Sequence, residues 1–244
     1  MAEVQRPHVM LFGGYNKSLF GTRKIEERSK DIPLEGHLVA ATYILTYEKA
    51  LSTPVFSTSL PAAYILKWYS EGKVILRDGM IAMPDSPAPA DKIEKNYYVL
   101  FKEAASESEV IEDSNDVFKA FYAHFKIVPN NDTLYKGGRK WFEKHGYIAK
   151  QGLIVPTLSD AGAKDARSLI ALRNYLKDAK DGLAALETSN GHLAEYVAYA
   201  ILFAFDDIFV ENNKNVLPAD LVKVYDNALI LAMAGRDGYD DATD

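Results

Sequence analysis

Two short segments of this sequence contain residue types and spacings that could support chemistry. Phe12–Ser18 places paired glycines before a lysine and a serine, as in loops whose backbone N–H groups bind phosphate. Asn16 stands where such a loop needs a glycine directly before the lysine. Asp206 and Asp207 could form a carboxylate pair for Mg²⁺ or acid–base work, but adjacent helical positions point about 100° apart. We therefore interpret Phe12–Ser18 as part of a lead-in segment and the Asp pair as surface charge.

Residues that bind metals or act as nucleophiles are sparse. The five histidines stand at positions 8, 37, 124, 145 and 192, and no two have the four-residue spacing of a helical zinc site. The chain contains no Cys, which excludes disulfides, thiolate ligands and Cys nucleophiles. No Gly-x-Ser-x-Gly segment is present. The sequence thus predicts a protein with no catalytic residues, no metal site and no cofactor.

One predicted helix, Thr133–His145, carries a regular basic stripe. Lys136, Lys140 and Lys144 recur every four residues and Arg139 flanks them, so they share one side of the helix. Such a face could contact DNA phosphates. The alternative is a solvated face above a buried aromatic pair, and we favour that alternative because Gly137 and Gly138 weaken the helix.

Composition and charge describe an ordinary globular chain of 244 residues, with 48% apolar and 25% charged residues. The net charge is −6: residues 151–244 carry −7 and residues 1–150 carry +1. An acidic protein has little general affinity for nucleic acid. No stretch reaches the roughly 18–20 apolar residues that span a bilayer, and the N-terminus lacks the features of a signal peptide. These observations predict a cytoplasmic protein.

Apolar periodicity predicts a mainly helical fold with small hairpins. Helices are expected over Leu34–Leu51 and Leu60–Glu71, the second with Ser59 as N-cap. Short apolar runs on either side of Asp78-Gly79 predict a β-hairpin with a type I′ turn, and Tyr97–Phe101 is expected to return as a strand. Helix, helix and then hairpin is the order of a winged helix.

The same order follows more loosely in the second half of the chain. Further helices are predicted over Val117–Phe125 and Thr133–His145, with a small hairpin around Gly152. Three last helices are predicted over residues 160–179, 192–209 and 217–234, with Gly235 ending the last one. The predicted fold class is therefore α+β: mainly α with small hairpins, as tandem winged-helix-like modules plus a C-terminal helical segment.

The predicted organisation has four parts. They are a lead-in at residues 1–32, module 1 at 33–104, module 2 at 105–157, and C-terminal helices at 158–244 that pack on the modules.

Several stretches resemble one bacterial family. These are Asp31–Leu45, Lys140–Ile148, Leu158–Asp178 and His192–Phe205, of which Leu158–Asp178 is the most specific. Together they are similar to the C-terminal cytoplasmic part of the predicted membrane proteins grouped as domain of unknown function 2207. The resemblance covers about residues 31 to 212. It implies attachment to a membrane through a preceding region, with Lys17–Lys30 next to the membrane, and it implies no catalytic residues.

Three functions follow as expectations. The first is a non-enzymatic interaction or scaffold region with a protein partner, at the inner face of a bacterial cell membrane. The second is a winged-helix DNA-binding regulator that uses Lys136, Arg139, Lys140 and Lys144, although nucleic acid is the less favoured partner. The third is a ligand- or lipid-binding protein whose pocket the sequence does not reveal.

Overall fold

A computed structural model describes residues 27–47, 55–149, 157–179 and 192–243. Helices make up most of this part of the chain. In chain order the elements are α1 Leu38–Tyr47, α2 Val55–Ser70, β1 Ile75–Arg77, β2 Met80–Ala82, α3 Lys92–Ala105, α4 Ser114–Ala123, α5 Asn131–Lys144, β3 Ile148–Ala149, β4 Thr157–Leu158, α6 Asp160–Ala179, α7 Leu193–Leu202, α8 Asp206–Asn213 and α9 Ala219–Thr243. The predicted class, mainly α with small hairpins, is confirmed.

The first hairpin forms as predicted. Strands β1 and β2 pair antiparallel, with Arg77 opposite Met80, so Asp78 and Gly79 form the two-residue turn. Both turn residues have positive φ, 51° and 84°, which is the requirement of a type I′ turn. In the second hairpin Ile148 pairs with Leu158. The predicted turn at Gly152 lies outside the described residues.

The predicted strand Tyr97–Phe101 is wrong, because these residues lie in the middle of α3. The Asp91 carboxylate accepts hydrogen bonds from the backbone N–H groups of Ile93 and Glu94, and so caps the start of the helix. The buried residues of α3 recur at helical spacing, at positions 93, 94, 97, 98, 100, 101, 104 and 105. The β-favouring run is therefore one buried face of a helix.

Several helix boundaries also differ from prediction. The helix expected from Leu34 begins at Leu38, because Leu34–Gly36 form a separate 3₁₀ turn with positive φ. Ser59 does not cap α2, which begins at Val55 and contains Pro61. The expected single helix over residues 192–209 is broken at Ala204, whose φ of 58° separates α7 from α8. Gly235 does not end α9, which continues to Thr243.

The chain divides into two compact units, each made of separated segments. Within the described residues, unit 1 consists of 27–47, 135–149 and 157–175, and unit 2 of 55–134, 176–179 and 192–243. The predicted boundaries at 33–104 and 105–157 do not coincide with this division. Helix–helix–hairpin order is present along the chain, as α1, α2, β1–β2 and again as α4, α5, β3–β4, but neither set falls within one unit.

Unit 1 is held by aromatic packing between α1 and α5. The ring of Tyr43 lies 5.4 Å from those of Tyr135 and Phe142, measured between centroids. Gly138 permits this approach, because a Cβ there would collide with the Cβ of Tyr43. The β3–β4 hairpin joins α6 through Gly162, which packs against Tyr147.

Unit 2 is a helical assembly in which α2 packs against α7 and α9, and α4 against α9 and α3. Trp68 on α2 is fully buried among Tyr64, Tyr98 and Phe101. In α9, Gly235 faces the ring of Phe121 and Gly238 faces Phe118, both on α4. A Cβ at Gly238 would collide with the Phe118 carbonyl oxygen. The β1–β2 hairpin is held against α9 by Asn227, whose side-chain amide donates to the Gly79 carbonyl oxygen at 3.0 Å.

Candidate binding surfaces

The predicted basic stripe lies on α5, within unit 1. Lys136, Lys140 and Lys144 are exposed, as their four-residue spacing predicted. Opposite them, Trp141 and Phe142 are buried, so the helix has an aromatic side and a solvated side. The structure therefore brings the three lysines to one surface.

Arg139 differs from Lys140 and Lys144 because a carboxylate neutralises it. Its Nε donates to Glu143 Oε1 at 2.9 Å, and this hydrogen bond raises the pKa of Arg139. Lys140 and Lys144 form no ion pair within the described part of the chain. The basic stripe thus offers fewer uncompensated charges than its sequence suggests.

Two of the other sequence candidates, Asp206 and His145, have structural partners. Asp206 Oδ2 accepts a hydrogen bond from Tyr225 at 2.8 Å, so this carboxylate ties α8 to α9. His145 stacks on Trp141 at 3.9 Å and its Nδ1 lies 2.8 Å from the Trp141 carbonyl oxygen. Across the described ranges, no three His, Asp or Glu side chains come close enough to hold a metal ion. Phe12–Ser18 falls outside those ranges.

Helix α9 presents a second surface that sequence analysis missed. Ile230 and Met233 are 55% and 59% exposed, the highest values among the large apolar side chains that the structure describes. Asp226 and Asp237 are also exposed, and the spacing 226, 230, 233, 237 places all four on one side of the helix. We call this set the α9 face. The two apolar residues lie between carboxylates at either end.

A cavity of about 240 Å³ lies in unit 2, at the carboxyl end of α9. Its apolar lining includes Tyr97, Phe121 and Leu134, and its polar lining includes Asn130, Arg236, Tyr239 and Asp240. Burial raises the pKa of Tyr97, and Tyr239 raises it further, so this phenol is neutral. Its hydroxyl lies 3.4 Å from the Pro129 carbonyl oxygen.

The sequence did not predict the cavity because Gly235 was expected to end the last helix. Arg236, Tyr239 and Asp240 were consequently placed beyond the last helix. A usable signal was the pair Gly235 and Gly238, since glycines three apart on one helix face permit a second helix to approach closely.

Comparison of the chain with models of known families, with characterised proteins and with solved structures finds no match. The resemblance to domain of unknown function 2207 therefore stays a prediction. None of the described helices is both long enough and apolar enough to cross a membrane.

Proposed function

We propose that the chain is a protein-interaction module whose α9 face binds an amphipathic basic segment of a partner protein. The exposure of Ile230 and Met233 carries this proposal. They lie one helical turn apart on a long, well-anchored helix, so a partner could bury both without any rearrangement of unit 2.

The chemistry of the α9 face specifies the kind of partner. Covering a large apolar side chain fully is worth about 1.5–3 kcal/mol, so two such residues can act as the central anchor. Asp226 and Asp237 flank that anchor with negative charge. A helix with two or three apolar residues between lysines or arginines complements both features.

The test is a titration with a synthetic amphipathic peptide of Leu and Lys, and with the same peptide carrying Glu for Lys. We expect saturable binding of the basic peptide only. Ile230→Ser combined with Met233→Ser should weaken it at least tenfold, and Val99→Ser, at a 40% exposed apolar residue of α3, should not.

Three results would contradict the proposal. They are equal affinity for both peptides, equal loss in the Val99→Ser control, and self-association of the chain that the double substitution abolishes. The last would identify the occupant of the α9 face as a second copy.

For the cellular setting, we propose the cytoplasmic side of a bacterial membrane protein. The support is the sequence resemblance over residues 31–212, in which Leu158–Asp178 is the most specific stretch. Fractionation of cells that express the full-length gene should place the protein with membranes. An open reading frame that encodes no membrane segment would end this part of the proposal.

A second candidate function is DNA binding by a winged-helix-like arrangement in unit 1. The supporting observation is that α1 packs on α5 at Gly138, and that the β3–β4 hairpin follows α5 directly, with Lys136, Lys140 and Lys144 exposed on α5. This arrangement would be one module with the first segment of unit 2, residues 55–134, inserted in it, in place of two tandem modules.

The DNA-binding candidate is tested by gel shift across a salt series. Binding should fall steeply as salt rises, and Lys140→Glu should remove it, while Lys119→Glu in unit 2 should leave it intact. The absence of any complex at low salt would exclude this function.

A further inference from the structure

Met233, on the α9 face, is the described methionine whose thioether is most open to solvent. It is 59% exposed, whereas Met80 is half-buried and Met83 is fully buried. The remaining methionines, Met1 and Met10, lie outside the described residues. Exposure governs how readily a sulfur-containing side chain reacts with an oxidant in solution. Among the described methionines, Met233 should therefore be oxidised first.

The composition of the chain and the chemistry of the thioether favour reaction with a hydroperoxide. The chain contains no Cys, so no thiol competes with the thioethers for the oxidant. The sulfur attacks one peroxide oxygen, the O–O bond breaks and an S–O bond forms. The thioether loses two electrons and becomes a sulfoxide. Hydrogen peroxide is reduced to water, because the proton on the transferred oxygen passes to the departing hydroxide.

The position of Met233 sets the consequence of its oxidation. Met233 lies one turn from Ile230, whereas the buried side of α9 is formed by other residues, among them Leu231 and Gly235. In the free chain a sulfoxide oxygen at Met233 would be hydrated, so the fold should not change. A partner that covers Met233 would have to bury this polar oxygen against an apolar surface, which costs free energy.

We infer that Met233 is a reversible oxidation site that controls binding at the α9 face. A hydroperoxide converts Met233 to the sulfoxide, and the partner is released. A methionine sulfoxide reductase restores the thioether, while a dithiol is oxidised to a disulfide and the oxygen leaves as water. This inference rests on the proposed function of the α9 face and adds the regulation of that surface.

The first test measures the selectivity of oxidation. The whole chain is treated with dilute hydrogen peroxide, and peptide mass spectrometry follows each methionine separately. We expect Met233 to form sulfoxide at least about fivefold faster than Met80, and Met83 to stay reduced. A saturating amount of the basic Leu and Lys peptide should slow the oxidation of Met233 and leave that of Met80 unchanged, because only Met233 lies in the covered surface.

The second test measures affinity for the same peptide, which contains no sulfur. Peroxide treatment should weaken binding about tenfold, because an apolar contact is replaced by a buried polar oxygen. Methionine sulfoxide reductase with dithiothreitol should reverse this loss. In Met233→Leu the affinities before and after treatment should be equal, whereas Met80→Leu should stay sensitive to peroxide. Circular dichroism checks that the oxidised chain keeps its helices.

The outcomes separate this inference from the proposed function. If the untreated chain does not bind the basic peptide, both are wrong. If it binds, any of four results overturns the inference alone. They are oxidation of Met80 as fast as that of Met233, unchanged affinity after treatment, peroxide sensitivity that persists in Met233→Leu, and loss of helicity on oxidation.

Discussion

Glu94, on α3, is buried in unit 2 with 6% of its surface exposed. Its Oε1 accepts hydrogen bonds from Trp68 Nε1 at 2.9 Å and from Lys67 Nζ at 2.7 Å. A buried carboxylate is tolerated only when such partners replace its hydration. For Lys67, burial alone would lower the pKa, but the hydrogen bonds to Glu94 and Glu71 and the attraction of their charges together outweigh burial, so the pKa of Lys67 is raised and the ammonium stays charged.

Removal of the Glu94 carboxylate should therefore destabilise unit 2. We expect Glu94→Ala to lower the free energy of unfolding by about 3 kcal/mol, because Trp68 loses its acceptor and Lys67 loses one of its two carboxylate partners, the other being Glu71. Urea denaturation measures this change. Glu103→Ala is the control, since Glu103 is an exposed residue of the same helix whose partner, His124, is also exposed. Equal losses at the two positions would show that burial of Glu94 is not the cause.

Tyr147 gives unit 1 a dependence on alkaline pH. Hydrogen bonding to the Asp165 carboxylate, followed by burial, raises the pKa of Tyr147 from its ordinary value of 10.0 to about 12. A raised pKa in the folded state means that the protonated phenol stabilises the fold. That stabilisation is complete below pH 10 and is lost as pH rises through about 12.

We expect Tyr147→Phe to be less stable than the parent chain at neutral pH, with the difference shrinking above pH 10. Thermal unfolding of both chains across an alkaline series measures this. The comparison of the two chains removes the contribution of tyrosines in unit 2, whose pKa values burial also raises. A difference that is constant from neutral pH to pH 12 would contradict the assignment to Asp165.

At the scale of elements, periodicity predicted which segments are helical, and the failures have physical causes. Tyr97–Phe101 is a run of residues that favour β-structure, so local preference alone predicts a strand. Packing against other helices makes it helical instead. In the structure α2 and α4 both pack on α3, so consecutive residues of this helix are buried. The resulting apolar run has the same sequence pattern as a buried strand. The Asp78-Gly79 hairpin was predictable because its turn depends only on local φ preferences.

The close approach of α4 and α9 depends on Gly238. In an ordinary helix, Gly→Ala stabilises by about 1 kcal/mol. Here a Cβ would collide with the Phe118 carbonyl oxygen, which is backbone and cannot move aside easily. We expect Gly238→Ala to destabilise unit 2 by about 2 kcal/mol in urea denaturation.

Asp237→Ala is the matched control for Gly238→Ala, because Asp237 is the exposed neighbour on the same helix. It should be neutral or slightly stabilising. A stabilised Gly238→Ala chain would mean that α4 and α9 do not pack as closely as described.

At the scale of the molecule, the grouping of segments into units could not be read from the sequence. Nothing in the local pattern indicates that α1 belongs with α5, which follows after the whole span 55–130. Packing partners distant in sequence leave no periodic signal, so continuous modules were the default prediction. The exposed lysines of α5 were predictable from spacing, whereas the cavity depended on the same distant packing.

Hydrogen exchange should reveal the division into units. Gly138→Ala forces a Cβ against Tyr43, so we expect faster exchange in both α1 and α5, with α9 unchanged. Gly238→Ala should do the reverse, speeding exchange in α4 and α9 and leaving α1 unchanged. Mass spectrometry of peptides from each helix measures this. Uniform acceleration in both variants would indicate a single cooperative unit.

The first segment of unit 2, residues 55–134, lies between α1 and α5 of unit 1 in the sequence, and this affects how the nascent chain can acquire its structure on the ribosome. Helix α1 emerges early, yet its apolar surface finds no cover until α5 has been translated. Helix α2 waits longer still, because its neighbours α7 and α9 are made last. Large apolar surfaces are thus left open during most of translation, which makes chaperone binding during synthesis a direct consequence of this chain topology.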